Sequence, residues 1–177
     1  MVGLLAAAGL HHVPVYPHPR VSILATGDEL VYPGEPLKEG HVYTSNLVTL
    51  VSWVKRFGIS SHAQLSSDSR NHIRATLERQ IEGSQAVITS GGTWKSERDL
   101  MSAVLNEMGW EEVFQRIRMW PGKGTTFGLL GGKPVFCLPG SPSATEMVFL
   151  TLVLPALLAM SGIHRRPFPE VGVRLNR

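Results

Sequence analysis

Three apolar runs of this chain each end in a turn that contains glycine, and this pattern constrains the fold most strongly. The runs are Val21–Leu24, Ala86–Thr89 and Val135–Leu138. Each leads into a polar or amphipathic segment, which is typical of a buried strand in an α/β sheet. The carboxyl ends of parallel strands meet at one edge, where ligands bind and where glycine lets backbone N–H groups approach an anion. The pattern therefore predicts a small anionic ligand at that edge.

Length and composition favour one globular domain. The chain has 177 residues, of which 43% are hydrophobic, and this is enough to bury a substantial core. Its 17 basic and 14 acidic residues leave only a small positive surplus, so a nucleic-acid partner is not expected. The single cysteine, Cys137, lies inside an apolar run, which excludes an intramolecular disulfide and fits a reducing compartment.

Two apolar segments lack the features of membrane or targeting sequences. Met1–Leu10 is short and has no basic region, and Leu150–Met160 supplies about eleven residues where a membrane span needs roughly twenty. We therefore expect a cytoplasmic protein with no membrane partner.

The spacing of apolar residues predicts helices that alternate with strands. Helices are expected at 1–10, 46–57, 69–81, 97–108 and 142–160, and strands at 21–24, 59–65, 86–89, 113–119, 125–130 and 134–138. The Gly131-Gly132 pair is typical of a hairpin turn between the last two strands. This order predicts a three-layer α/β/α sandwich whose sheet is mostly parallel with an antiparallel edge.

The same pattern divides the chain into three parts. Residues 1–20 are assigned to an N-terminal helix and linker, residues 21–162 to the α/β domain, and residues 163–177 to a C-terminal tail with no evident core. Residues 28–43 form a polar excursion rich in turns after the first strand, and excursions at that edge often carry function.

A series of short motifs gives the strongest indication of function. They are Thr26–Leu30 (TGDEL), Tyr43–Asn46 (YTSN), Ser90–Gly92 (SGG), Arg98-Asp99 (RD), Pro121–Lys123 (PGK), Phe127-Gly128 (FG) and Leu138–Pro142 (LPGSP). In this order they resemble the central domain of molybdopterin molybdenumtransferases, a family that includes the E domain of gephyrin. The molybdopterin adenylyltransferases share its fold. The resemblance extends from about Val2 to Gly162.

The resemblance implies a pterin dithiolene ligand with a phosphate, which is molybdopterin or its adenylated form, and molybdate as the metal source. The residues that it places at the ligand are Thr26, Gly27, Asn46, Ser90, Gly91, Gly92, Thr93, Pro139, Gly140 and Ser141. Hydroxyls and backbone donors of this kind suit an anion, above all at the start of a helix. Because relatives with this fold are dimers or trimers, the resemblance also implies a homo-oligomer.

Three charged residues are candidates for chemistry. Lys123 lies between two glycines, and its ammonium suits an oxyanion such as phosphate or molybdate. Asp99 and Glu29 are carboxylates that can hold Mg²⁺ or take a proton during ligand exchange. Each residue also has a purely structural interpretation. Lys123 can be a solvated turn lysine, Asp99 a charge that stabilises a helix N-terminus, and Glu29 a cap of the turn after the first strand.

Three positions depart from the family pattern. Thr44 stands where an aspartate is usual, Trp94 where the adenylyltransferases have a second glycine, and Gly124 where a proline is common. Two alternatives to molybdate insertion therefore stay open: a molybdopterin carrier, sensor or scaffold without catalysis, and an adenylyltransferase. The carboxylate missing at Thr44 favours the first, whereas the motif at Leu138–Pro142 disfavours the second.

Overall fold

A mixed sheet of six strands lies at the centre of the molecule. The computed structural model describes residues 2–91, 100–165, 167–169, 171–172 and 174. In chain order the elements are α1 (Val2–Ala7), β1 (Val21–Thr26), β2 (Leu30–Val31), β3 (Val42–Tyr43), α2 (Ser45–Arg56), β4 (Ser61–Ser66), α3 (Arg70–Gly83), β5 (Ala86–Ser90), α4 (Leu100–Glu107), β6 (Glu111–Gln115), β7 (Thr126–Leu130), β8 (Lys133–Leu138) and α5 (Pro142–Met160).

The strand order confirms the predicted architecture. The strands lie in the order β4-β1-β5-β8-β7-β6; the first four are parallel, and β7 and β6 form the antiparallel edge. After β1 the chain crosses through α2 to β4 on one side, then returns through α3 to β5 on the other side. The connection therefore reverses between β1 and β5, which is the point where open α/β sheets bind ligands.

Helices cover both faces of the sheet and bury it. Successive residues of β1 alternate between the two cores, since Ile23 packs with α2 and α5 whereas Leu24 packs with α3 and α4. All six residues of β1 are buried, as expected for a central parallel strand. This rigid central strand holds the turn at Thr26 in place.

The π-containing helix α5 combines a membrane-like composition with a core position. It includes a π-helical turn at Phe149–Val153 and begins with Pro142 in its first turn, as predicted. Its 19 residues are apolar enough to cross a membrane by length and composition alone, which the expectation of eleven apolar residues underestimated. However, Phe149, Val153 and Leu157 are completely buried against the sheet, which is the position of a core helix.

The prediction for β6 was wrong in its bounds. A strand was expected at 113–119, but the strand forms at Glu111–Gln115. This is an edge strand, where Val113 is 58% exposed, so apolar residues do not mark its extent. Arg116 then adopts a positive φ of 68°, which ends the extended backbone. The other predicted elements agree within two residues, with two exceptions: α1 ends at Ala7, three residues before its predicted end, and residues 97–99 of the predicted fourth helix lie outside the described residues.

Two segments for which no helix or strand was predicted make ordered contacts. Within the excursion at 28–43, β2 and β3 pair in parallel and form a short ribbon. In the tail, the ring of Phe168 packs edge-on against Trp53 and Phe57, with ring centroids 6.0 and 6.1 Å apart. The description of the tail as having no core was therefore incomplete.

Candidate functional site

A cleft of about 290 Å³ opens at the carboxyl ends of β1 and β5. Its walls come from the end of β1, the β2–β3 ribbon, the start of α2, and the turns after β5 and β8. The lining residues are Ala25, Thr26, Glu29, Leu30, Val42, Tyr43, Thr44, Ser45, Asn46, Ser90, Gly91, Gly140 and Pro142. The cleft thus lies at the reversal point of the sheet, on the carboxyl edge where the three glycine turns were predicted to meet.

The three glycine turns meet at the cleft. Gly91 has a φ of +105°, and a Cβ added to it would lie 2.7 Å from the carbonyl oxygen of Thr26. On the other side, a Cβ on Gly140 would lie 3.8 Å from the Cα of Gly91. A side chain at position 91 would push the turns of β1 and β5 apart, so glycine there permits the close approach.

The side chain of Asn46 joins the turns of β5 and β8 to the first turn of α2. Its Nδ2 donates to the Ser90 hydroxyl at 3.0 Å and to the Gly140 carbonyl oxygen at 2.7 Å. Because a carbonyl oxygen only accepts, these bonds determine which end of the amide is nitrogen. Since Ser90 accepts from Asn46, its own hydroxyl hydrogen can be donated elsewhere.

Two oxygen atoms in the residues that line the cleft have no hydrogen-bond partner. They are Oγ1 of Thr44 and Oδ1 of Asn46, and both atoms are buried. Thr44 occupies the N-cap position of α2, where threonine usually accepts from a backbone N–H, yet its side chain makes no such bond. Buried polar atoms without partners are costly and uncommon in folded proteins.

Three carboxylates gather beside the cleft. The Glu29 carboxylate folds over Gly27, where an added Cβ would lie 2.7 Å from its Oε2. Asp28 Oδ1 accepts from the backbone N–H of Asp68 at 3.0 Å. Burial, followed by repulsion from Asp28 and Glu29, raises the pKa of Asp68 above its ordinary value of 3.8, although a hydrogen bond from the backbone of Asp28 to the Asp68 carboxylate opposes the shift. This corner of the molecule is therefore negative.

Most of the predicted site residues that the structure describes, five ligand residues and the candidate metal ligand Glu29, lie in the cleft wall. Thr26, Glu29, Asn46, Ser90, Gly91 and Gly140 all line it. Gly27 is buried directly after Thr26, and the Glu29 side chain lies against it. Gly92, Thr93 and Asp99 lie outside the described residues.

The other predicted residues lie outside the lining. Pro139 is buried, and its carbonyl oxygen accepts from the Thr145 hydroxyl. Ser141 is the exposed N-cap of α5 and makes no side-chain cap bond. Lys123 is exposed in the β6–β7 connection. This connection reaches the same edge of the sheet, because Thr126 at the start of β7 pairs with Cys137 near the end of β8.

Several lining residues were not predicted. They are Ala25, Leu30, Val42, Tyr43, Thr44, Ser45 and Pro142. The motif Tyr43–Asn46 contained a signal for some of them, but Thr44 was treated only as a lost carboxylate. Its burial without a partner becomes evident only from the fold.

Comparison with known proteins assigns this chain to a protein family. Residues 22–159 match the family described as "Probable molybdopterin binding domain". The chain is 34% identical over 179 residues to molybdopterin molybdenumtransferase 1 of Mycobacterium tuberculosis, covering 96% of this chain and 40% of that protein. It is 32% identical to molybdopterin molybdenumtransferase 2 of the same organism, covering 92% and 42%. The chain thus spans about two fifths of these relatives.

Solved structures with similar folds include proteins of molybdopterin and tungsten cofactor biosynthesis. The molybdopterin biosynthesis moea protein from Pyrococcus horikosii aligns with a TM-score of 0.80 and 34% identity, over 92% of this chain and 40% of that one. The tungsten cofactor synthesizing protein MoaB from Pyrococcus furiosus aligns with a TM-score of 0.59 over 83% of this chain and 98% of that one. At 16% identity, the second match shows a shared fold alone.

Proposed function

Because this chain belongs to the family described as a probable molybdopterin binding domain, we propose that the cleft at the ends of β1 and β5 binds molybdopterin. The observation that carries the proposal is the double hydrogen bond of Asn46, which brings Ser90 and Gly140 together at one wall. Hydroxyl donors beside glycine turns at strand ends suit a phosphate or dithiolate.

We assign the remaining predicted residues to the same ligand. Gly27, Pro139 and Ser141 shape the turns that border the cleft, and Gly92 and Thr93 continue the chain directly from Gly91. With them the proposed binding set is Thr26, Gly27, Asn46, Ser90, Gly91, Gly92, Thr93, Pro139, Gly140 and Ser141.

The printed names of the relatives suggest a reaction: they are molybdopterin molybdenumtransferases. We propose that this domain contributes to inserting molybdate into molybdopterin, free or adenylated. Lys123 would hold an oxyanion, while Glu29 and Asp99 would supply oxygen ligands to Mg²⁺ or accept a proton. Mg²⁺ commonly binds through one or two carboxylates with substrate phosphates. The Glu29 carboxylate lines the cleft and suits this role. Asp28, Glu29 and Asp68 do not form a three-ligand metal site, since no such group occurs among residues 2–91 and 100–165.

A second function, molybdopterin binding without turnover, is favoured by the composition of the wall. Among the described lining residues, Glu29 is the only carboxylate and no lysine or arginine is present. Such a wall suits a carrier, sensor or scaffold better than a reaction that moves two anions together.

The test is an anaerobic calorimetric titration with molybdopterin. We expect saturable binding that is weakened at least about tenfold, or about 1.4 kcal/mol, by Ser90→Ala. Ser60→Ala, an exposed serine away from the cleft, is the matched control and should bind like wild type. Absence of binding by the wild-type chain would contradict the proposal. Addition of molybdate and Mg²⁺ to the complex then distinguishes the two functions, because only a transferase forms molybdenum-loaded cofactor. Consumption of ATP in the same assay would indicate adenylyl transfer.

We also propose that the domain acts in the cytoplasm as a dimer or trimer. Large apolar side chains on its surface support self-association: Trp120 is 85% exposed and Met147 is 42% exposed. Light scattering at increasing concentration would show a monomer if this proposal is wrong.

A further inference from the structure

We propose that Thr44 and Asn46 bind the pterin ring itself, through Oγ1 and Oδ1. This inference rests on the proposed function and deepens it. It specifies which chemical part of the ligand these two residues recognise.

The first step concerns Asn46. Both hydrogens of its amide nitrogen are used, one on Ser90 and one on Gly140, so the side chain cannot rotate without losing two bonds. Its Oδ1 is then left buried without a partner, and this atom can only accept. The dianion of a phosphate monoester and molybdate have no hydrogen to donate. A heterocycle with N–H groups, such as the 2-amino-4-oxo edge of a pterin, supplies the missing donor.

The second step concerns Thr44. Its side chain is 2% exposed, and its hydroxyl neither caps α2 nor contacts another polar group. A hydroxyl can donate and accept, so it complements the carbonyl or the ring nitrogens of the same pterin edge. The Thr44 hydroxyl makes no hydrogen bond in the free protein, and a hydrogen bond to the pterin in the complex would explain why it is there.

The surrounding wall suits a flat ring. Ala25, Leu30 and Pro142 provide apolar surface in the same cleft as the two oxygens. Apolar walls with a few placed polar groups are typical of sites for planar ligands. Oδ1 of Asn46 can only accept a hydrogen bond, whereas the neighbouring Ser90 hydroxyl can donate one.

Ring binding requires a small movement. Solvent reaches neither oxygen in the free protein. Thr44 follows β3 directly, and its backbone N–H donates to the carbonyl oxygen of Val31 in β2 at 2.9 Å. The ribbon is exposed at Val42 and Tyr43, so it can shift together with Thr44. We therefore expect the ribbon to move when the ring enters.

The first test uses the wild-type chain and a pair of ligands. 6-Hydroxymethylpterin has the 2-amino and ring N–H donors of the pterin edge. 1,3-Dimethyllumazine has a 2-oxo group in place of the 2-amino group and methyl groups on both ring nitrogens of that edge, so it has no donor there. Calorimetry should give a dissociation constant at least about tenfold lower for the pterin, as expected when a buried acceptor loses its donor. Equal affinity for the two compounds would overturn the inference.

The second test uses variants. Thr44→Val removes the hydroxyl while keeping the shape; it should bind 6-hydroxymethylpterin about fivefold or more weakly and inorganic phosphate as well as wild type. Thr44→Ser should restore pterin affinity. The matched control is Thr89→Val, because the Thr89 hydroxyl is also buried without a partner but does not line the cleft. Both valine variants should resist denaturant at least as well as wild type, and only Thr44→Val should lose pterin affinity.

The results separate the two proposals. If the wild-type chain fails to bind molybdopterin, the proposed function fails. If it binds molybdopterin but Thr44→Val binds 6-hydroxymethylpterin as well as wild type, only the ring assignment fails. It also fails if 6-hydroxymethylpterin does not bind a chain that binds molybdopterin, or if Thr44→Val weakens phosphate equally.

Discussion

The Cα of Gly91 lies so close to the Thr26 carbonyl oxygen that a methyl group added there would sit 2.7 Å from it. This contact joins the turn after β5 to the end of β1, where the chain reverses across the sheet. The floor of the cleft therefore depends on one residue having no side chain.

Substitution of Gly91 tests this contact. Gly91→Ala adds a steric clash to a backbone at φ +105°, and we expect it to lower the free energy of unfolding by about 2 kcal/mol or more. Gly140→Ala is the matched control, because its Cβ would meet only the Gly91 Cα, at an ordinary 3.8 Å. Urea denaturation measures both. Equal effects of the two substitutions would show that the close approach does not matter.

The amide of Asn46 is expected to matter for binding more than for folding. Asn46→Asp replaces the donor that holds Ser90 and Gly140 and puts a negative charge in an anion site. We expect molybdopterin affinity to fall at least about tenfold, which corresponds to about 1.4 kcal/mol. Asn71→Asp makes the same chemical change on an exposed position of α3, and its affinity should equal that of wild type.

The acidic corner predicts a pH effect. The pKa of Asp68 is raised above 3.8 in the folded protein, so folding favours its protonated form. The stabilising contribution is therefore fully present below pH 3.8 and is lost as pH rises through the folded pKa. Asp68→Asn should stabilise the protein at pH 7, by less than about 1 kcal/mol at this exposed site, and the gain should shrink as pH falls.

NMR titration of the side-chain carboxyl groups measures the pKa of Asp68 directly. We expect the Asp68 signal to titrate above pH 3.8, and above its position in an Asp28→Asn variant, where one source of repulsion is removed. A value at or below 3.8 in the wild-type protein would refute the assignment.

Substitution of Lys123 tests whether ligand binding and molybdenum loading depend on different residues. Because Lys123 does not line the cleft, Lys123→Ala should leave the affinity for 6-hydroxymethylpterin unchanged. If it holds molybdate, the same variant should reduce molybdenum loading at least about tenfold in the presence of molybdopterin. Lys55→Ala, on the exposed side of α2, serves as the control. Normal loading by Lys123→Ala would remove Lys123 from the proposed reaction.

Local patterns were sufficient for the elements that pack on the sheet. α2 shows apolar residues at helical spacing, and its buried positions Leu47, Leu50 and Val54 follow that spacing. The hairpin between β7 and β8 was predicted from Gly131-Gly132, and both glycines have positive φ, 57° and 74°. β6 was placed incorrectly because an edge strand lacks a neighbour on one side and tolerates charged residues such as Glu111.

The site could be predicted only in part. The glycine turns are visible in the sequence, and parallel strands must bring them to one edge. The contact of Asn46 with Gly140 joins residues 94 positions apart, so no local pattern contains it. The unpartnered oxygen of Thr44 is a property of packing, because the same threonine in another N-cap would bond to its own helix.

The most direct test of the account is NMR observation of the Asn46 side-chain amide during anaerobic titration with molybdopterin. We predict saturable shifts of the Asn46 Nδ2 hydrogens and of the Gly91 backbone amide, with no shift of the Asn71 side-chain amide. Binding that leaves Asn46 and Gly91 unshifted while other signals move would contradict the assignment of the cleft.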